Sequence, residues 1–250
     1  MQPFVAELIG TALLILFGNG VVANVVLTGT KGNGAGWLTI AAGWGIAVYI
    51  GAFCSAESSG AHLNPAVTIA MIVADKLSLA DAVVYISAQF VGAMIGAVLV
   101  YVTYRSHFNA TEDKDAKLAC FCTGPAIRNL PQAFVCEMIG TFALLLPIFL
   151  MASPRIAVGD GSVDESQVLG LGALGLLPVG MLVFGIGLSL GGTTGYAINP
   201  ARDLGPRIIH FLLPIKEKRD SDWQYAWVPI LGPITGAVAA ALFYRIFLIA

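Results

Sequence analysis

Polar positions are almost absent from six stretches of the chain: roughly Phe4–Val26, Trp37–Cys54, Ala82–Tyr104, Gln132–Ala152, Val168–Leu190 and Ala226–Ile249. A helix that crosses a bilayer needs about 20 mostly apolar residues, so each stretch predicts a spanning helix. Strand-type alternation is missing, which argues against an outer-membrane barrel. Two further apolar segments, Val67–Val73 and Arg202–Leu212, are too short to cross. Each follows the same triplet, Asn64-Pro65-Ala66 or Asn199-Pro200-Ala201. Proline suits the first helical turn, where its missing N–H would have no partner anyway. Asparagine is among the best residues for the position just before that turn. Each triplet therefore predicts a helix start inside a very apolar neighbourhood.

Composition sharpens this picture. Hydrophobic residues make up 57% of the chain and charged residues 11%, with a mean hydropathy of +0.83. Soluble domains carry about 25% charged residues, so the chain reads as a multi-spanning membrane protein. Met1-Gln2-Pro3 lead straight into the first apolar run, which is expected to be a span rather than a cleaved leader. The net charge of −2, with no basic patch, points away from nucleic acid. Cys54, Cys120, Cys122 and Cys136 lack zinc-ligand spacing. Cys54 and Cys136 read as packing residues, and the role of the C-x-C pair is left open. No metal site and no cofactor is expected.

The chain also repeats itself. The run from Ala6-Glu7 to Leu14 matches that from Cys136-Glu137 to Leu144. The Asn-Pro-Ala triplet recurs at a slightly larger offset, and Gly92 and Gly96 recur as Gly232 and Gly236 at a slightly larger one again. Matches in one order at slowly growing offsets are what duplicated halves with loop insertions give. The chain is thus expected to be a single domain of two halves, about 1–105 and 131–250, joined by a polar loop 106–130. Three spans per half is an odd number, so the second half must enter the membrane from the opposite face, as in inverted-repeat transport folds. The expected fold is all-α: six transmembrane helices plus two re-entrant half-helices. Irregular backbone before each half-helix survives at membrane depth only inside protein or beside a wet cavity. The repeated glycines fit close helix packing.

Two half-helices entering from opposite faces would meet asparagine first. A helix N-terminus carries about half a positive charge and free N–H groups. Two such ends at one point repel cations and protonated water chains and leave neutral molecules alone. Asn64 and Asn199 would each keep an amide NH2 free to donate. The carbonyls of Gly60, Ala61, His62 and Leu63, and of Gly195, Tyr196, Ala197 and Ile198, would form a ladder of acceptors.

With both triplets, the following Arg202-Asp203, the repeated Glu7 and Glu137 and six spans, the chain resembles the major intrinsic protein family over nearly its whole length. Within it, the chain is similar to the aquaglyceroporins, or glycerol facilitators, more than to water-selective aquaporins. The pore electrostatics just described are those known for aquaporin-type channels. The resemblance implies a homotetramer with one pore per subunit. It also implies a selectivity filter of Trp44, Gly187, Tyr196 and Arg202. Arg202 is the constriction arginine, and a charge at membrane depth marks a functional site. Gly187 stands where water-selective relatives carry histidine, leaving width for a carbon chain. Tyr196 departs from the phenylalanine of the nearest bacterial facilitators, which puts the balance of water and polyol in question. Glu7 and Glu137 resemble the glutamates that accept the loop N–H groups. Asp203 and Arg207 are spaced to pair at i, i+4, worth a few tenths of a kcal/mol on an exposed helix. With Pro229, they resemble the glycerol-type loop. His62 is expected to offer a carbonyl and a loop contact.

The family's orientation, both termini cytoplasmic, leaves Lys76, Arg155 and Arg245 inside and most other cations outside, against the positive-inside rule. That rule weakens for long loops, and two outside loops hold most of those cations. The leading expectation is a passive channel for glycerol and other small neutral solutes, also conducting water, in the bacterial inner or plasma membrane. The runner-up is a predominantly water-conducting aquaporin. A coupled secondary transporter would need an unexplained intramembrane acid, and a membrane enzyme would need a catalytic constellation. Neither is present. A purely structural membrane protein would have no use for the filter residues.

Overall fold

The computed structural model describes residues 1–152, 154–157 and 163–248. Nine α-helices are found among them: α1 (Pro3–Val26), α2 (Gly36–Ser59), α3 (Pro65–Val73), α4 (Leu79–Ala110), α5 (Lys114–Ala119), α6 (Leu130–Leu150), α7 (Leu177–Ser189), α8 (Pro200–Leu212) and α9 (Val228–Leu248). Six of them, α1, α2, α4, α6, α9 and α7 with the 3-10 turn Gly172–Leu176 before it, are long and apolar enough to cross a membrane. The short elements α3 and α8 are the two half-helices. The fold is all-α apart from a small hairpin, β1 (Arg155–Ala157) with β2 (Val163–Val168).

Three boundaries differ from the hydrophobic pattern. The fifth span begins at Gly172, because Val168 closes β2 and Gly170, Gly172 and Gly175 punctuate the apolar run. The last residue expected in the sixth span, Ile249, lies outside the described residues. Helix α4 starts at Leu79, where Ser78 Oγ accepts from Asp81 N at 3.1 Å, and continues past residue 105 to Ala110. The segment 106–130 is more than a polar linker. It forms α5 and buries Phe108, Lys117, Cys120 and Phe121.

Glycine sets the spacing of the crossings. A β-carbon on Gly92 would lie 2.4 Å from the Leu8 carbonyl oxygen, and one on Gly236 would lie 2.1 Å from that of Met138. Backbones this close leave no room for any side chain. Gly45 and Gly180 face each other's carbonyls in the same way, at 2.8 and 2.7 Å, across the contact of α2 with α7. These two stand at the same offset as Asn64 and Asn199 and make reciprocal contacts, as halves related by a two-fold would. The outer ends of both half-helices are closed by cations. Arg245 Nη1 donates to Val73 O at 2.8 Å, and Lys218 Nζ donates to Leu213 O at 2.7 Å. That placement complements the negative pole of each half-helix.

Candidate functional site

The loops leading into α3 and α8 have the same backbone. Gly60, Ala61 and Leu63 are left-handed, with φ of 79°, 55° and 51°, and so are Gly195, Tyr196 and Ile198, at 84°, 36° and 44°. Four of these six are not glycine, and left-handed geometry costs such residues about 1–2 kcal/mol each. Buried carboxylates hold the strain. Glu7 accepts from His62 N at 2.9 Å, Leu63 N at 2.7 Å, Ser59 Oγ at 2.6 Å and Gln89 Nε2 at 2.7 Å. Glu137 accepts from Ala197 N at 2.9 Å, Ile198 N at 2.8 Å and Thr194 Oγ1 at 2.7 Å. A buried carboxylate without donors would be costly, and each of these has at least three. His62 sits at the loop's edge, its Nδ1 3.1 Å from Thr68 Oγ1 and its ring against Tyr85.

Both asparagines cap their half-helices. Asn64 Oδ1 accepts from Ala66 N at 2.9 Å, and Asn199 Oδ1 accepts from Ala201 N at 3.0 Å and Arg202 N at 3.1 Å. Pro65 and Pro200 follow at the first helical position, and Ala66 and Ala201 are fully buried. The amide groups then cross over. Asn64 Nδ2 donates to Ile198 O, and Asn199 Nδ2 donates to Leu63 O, each at 2.8 Å. The tips of α3 and α8 are therefore bonded to each other. This corrects the sequence expectation in one respect. Each NH2 has two hydrogens, so each asparagine keeps one N–H rather than two, and the Leu63 and Ile198 carbonyls already hold one partner.

A cavity of ≈ 170 Å³ runs past both asparagines and is bordered by Gly60, Ala61, His62, Leu63, Ala197 and Ile198. It ends at Trp44, Tyr196 and Arg202. A second cavity, of ≈ 390 Å³, begins at the same three residues and is bordered by Trp37, Cys122, Thr123 and Gly195 on its far side. Trp44, Tyr196 and Arg202 border both, so they form the neck between them. The Arg202 guanidinium carbon lies 4.1 Å from the centre of the Trp44 ring, close enough for a cation–π contact. Arg202 Nη1 and the Tyr196 hydroxyl are buried and have no hydrogen-bond partner among the described residues.

Gly187 does not play the expected part. It borders neither cavity, and a β-carbon there would lie 2.7 Å from the Tyr196 hydroxyl oxygen. The space that the missing side chain vacates is filled by the tip of Tyr196, so it adds no open width. Two residues go unnoticed in the sequence. Gly18 makes room for Trp44, since a β-carbon on it would lie 2.2 Å from the indole. Trp37 donates from Nε1 to Gly187 O at 2.8 Å and stands edge-on to Tyr196. A glycine facing a tryptophan on another helix leaves no periodic trace in a sequence.

The Asp203–Arg207 pair is also stronger than its spacing suggests. Both side chains are fully buried, with Arg207 Nε 2.8 Å from Asp203 Oδ1. Arg207 also donates to Ser221 O at 2.7 Å and to Thr123 O at 2.9 Å, while Asp203 Oδ2 accepts from Thr123 N at 2.8 Å. Breaking such a buried pair costs about 3–5 kcal/mol, not the tenths of an exposed pair. The network carries the 106–130 segment down to the neck. Cys122 lies beside it, and burial pushes that thiol up to about 12, leaving it unreactive near neutrality. Further out, Arg128 Nη2 donates to Asp222 Oδ1 at 2.8 Å and holds that carboxyl below the usual carboxylate range.

Six crossing helices around two bonded half-helices, with a cavity on each side of one charged neck, define a multi-pass membrane pore protein. The profile of the family described as "Major intrinsic protein" matches residues 1–244. This chain belongs to that family. It is 49% identical to the "Probable glycerol uptake facilitator protein" of Thermotoga maritima over 245 residues, which is 98% of this chain and 99% of that one. To the "Glycerol uptake facilitator protein" of Streptococcus pneumoniae strain R6 it is 48% identical over 247 residues, covering 99% and 100% of the two chains. Its fold superposes on the X-ray structure of the aquaglyceroporin from Plasmodium falciparum with a TM-score of 0.79 at 35% identity, covering 98% of this chain and 95% of that one.

Proposed function

We propose that this chain is a passive channel for glycerol and other small neutral solutes, also conducting water and excluding ions and protons. It works down a gradient, without covalent chemistry or a cofactor, and is not an enzyme. The observation that carries the reading is the neck. Arg202 Nη1 is buried with no partner among the described residues, a donor left for a solute oxygen. Beside it, Trp44, stacked against the guanidinium, and Tyr196 offer aromatic surface. A polyol has both a hydroxyl edge and a carbon edge and can satisfy the donor and the rings together. Past the neck, the free N–H of Asn64 and Asn199 takes over each oxygen at the point where two helix N-termini repel cations. The filter is thus Trp44, Tyr196 and Arg202, with Gly187 behind it as the seat of Tyr196. Glu7, Glu137, Asp203 and Arg207 are its supports. The channel is a single domain of two halves, about 1–105 and 131–250. It acts as a homotetramer in the plasma membrane or bacterial inner membrane, with lipid as its other partner.

Stopped-flow light scattering on proteoliposomes tests this. After hyperosmotic glycerol shrinks the vesicles, re-swelling is expected to outpace that of empty liposomes. Re-swelling equal to empty liposomes would refute glycerol conduction. One observation favours the second reading, a mainly water-conducting channel. Tyr196 fills the space at Gly187, so that glycine gives a carbon chain no extra width. Fast shrinkage without re-swelling would establish that reading instead.

A further inference from the structure

Tyr196, one of the three neck residues, is held from outside by a side chain that borders only the outer cavity. Trp37, at the start of α2, is 39% exposed and lines that cavity beside Trp44, Tyr196 and Arg202. Its indole N–H donates to Gly187 O at 2.8 Å. Its ring stands edge-on to Tyr196, with centroids 5.9 Å apart and planes at 74°, a favoured aromatic geometry. Tyr196 is wedged between this ring and the backbone of α7. A β-carbon on Gly187 would lie 2.7 Å from its hydroxyl, and one on Gly191 would lie 2.4 Å from its Cδ1 and 2.8 Å from Trp37 Cζ2. The Tyr196 hydroxyl has no hydrogen-bond partner among the described residues. Packing against glycine and Trp37, not a polar tether, therefore fixes the ring.

We propose that Trp37 is a specificity-determining positioning residue, which sets the width of the neck by clamping Tyr196 against Gly187 and Gly191. Without the indole, the Tyr196 ring is free to swing toward the outer cavity and the neck opens. The solutes whose passage should change are those wider or longer than glycerol, such as five-carbon polyols. Glycerol and water, which already fit, should change least. The inference rests on the neutral-solute channel reading, and its test separates the two.

The test measures permeability to water, glycerol and ribitol for proteoliposomes matched for protein content. The variants are Trp37→Ala, Trp37→Phe and Gly191→Ala. Trp37→Ala is expected to raise the ribitol-to-glycerol ratio several-fold. Trp37→Phe, which keeps a ring but loses the N–H, should raise it by less than half as much. Gly191→Ala sets a methyl group against both Tyr196 and Trp37, loosening the clamp with the indole retained, and should shift the same ratio, which covers a Trp37→Ala protein that fails to insert. A double variant of Trp37→Ala with Tyr196→Ala should show no more change than Tyr196→Ala alone, since Trp37 acts through that ring. A ratio unchanged in Trp37→Phe and Gly191→Ala while wild type passes glycerol would overturn the role of Trp37. Equal losses for all three solutes would also overturn it. No glycerol passage by wild type would instead overturn the channel reading itself.

Discussion

The outer and inner halves of the pore, each built from both sequence repeats, share a scaffold and differ in what they hang on it. At the offset that relates Gly45 to Gly180 and Asn64 to Asn199, the mates of Trp44, Tyr196 and Arg202 are Val179, Ala61 and Val67. All three mates border the same inner cavity. The outer half thus carries two aromatic rings and a cation, while the matched inner positions carry two valines and an alanine. The packing beneath enforces the difference. Trp44 lies over Gly18, whose mate at the offset relating Glu7 to Glu137 is Ile148, so no tryptophan fits at the inner position. Supports differ in the same way. Beneath the inner loop, Thr68 bonds Gln89 at 3.0 Å, a neutral contact. Its mate, at the offset of the two asparagines, is Asp203, which is bonded to the buried Arg207. One charged constriction on a two-fold scaffold therefore comes from substitution at a few matched positions, with the asparagines and glutamates untouched.

The largest effect should come from the supports. Arg207→Met leaves Asp203 buried and unpaired and is expected to cost about 3–5 kcal/mol, read as a large fall in thermal midpoint in detergent. Thr68→Val removes a neutral partner and should cost about 1–3 kcal/mol. Equal losses would erase the difference between the halves. Placing the inner residue in the outer half also tests the asymmetry. Arg202→Val should keep the fold and weaken discrimination against ions and bulkier solutes by about tenfold, close to 1.4 kcal/mol. Unchanged permeability to all of them would remove Arg202 from the filter.

The smallest effect concerns pH at the outer surface. Asp222 has a depressed folded pKa, because Arg128 donates to it. Its stabilisation is therefore full above the unfolded aspartate value of about 3.9 and is lost as pH falls through the lower folded value. Arg128 is half exposed, so the pair should contribute about 0.2–1 kcal/mol. The thermal midpoint of Arg128→Ala should fall less between pH 5 and pH 3 than that of wild type. An equal fall would show that the pair does not matter.

Much of this is legible in the sequence. Both triplets state their helix starts, because proline and asparagine have local reasons to stand there. The repeat puts Glu7 and Glu137 in equivalent positions before any contact is known. Contacts between distant segments are not legible. The crossed Asn64–Ile198 and Asn199–Leu63 bonds depend on the distance between two tips, which no spacing encodes. Gly187 reads as open width, yet the hydroxyl of Tyr196, a residue from another loop, fills it. The 106–130 segment looks polar on average. Its Cys120-Phe121-Cys122 run, apolar and small, is the one local hint that this part turns inward to the neck. The start of the fifth span is blurred by an apolar run that three glycines break into a turn.

The central claim is that the bonded tips of α3 and α8, with one charged neck beside them, pass neutral solutes and hold back protons. It is tested most directly by following glycerol re-swelling and internal pH together in one preparation of proteoliposomes under an imposed proton gradient. The account predicts re-swelling well above that of empty vesicles while the pH gradient decays no faster than theirs. A gradient that collapses along with re-swelling, or no re-swelling at all, would contradict it.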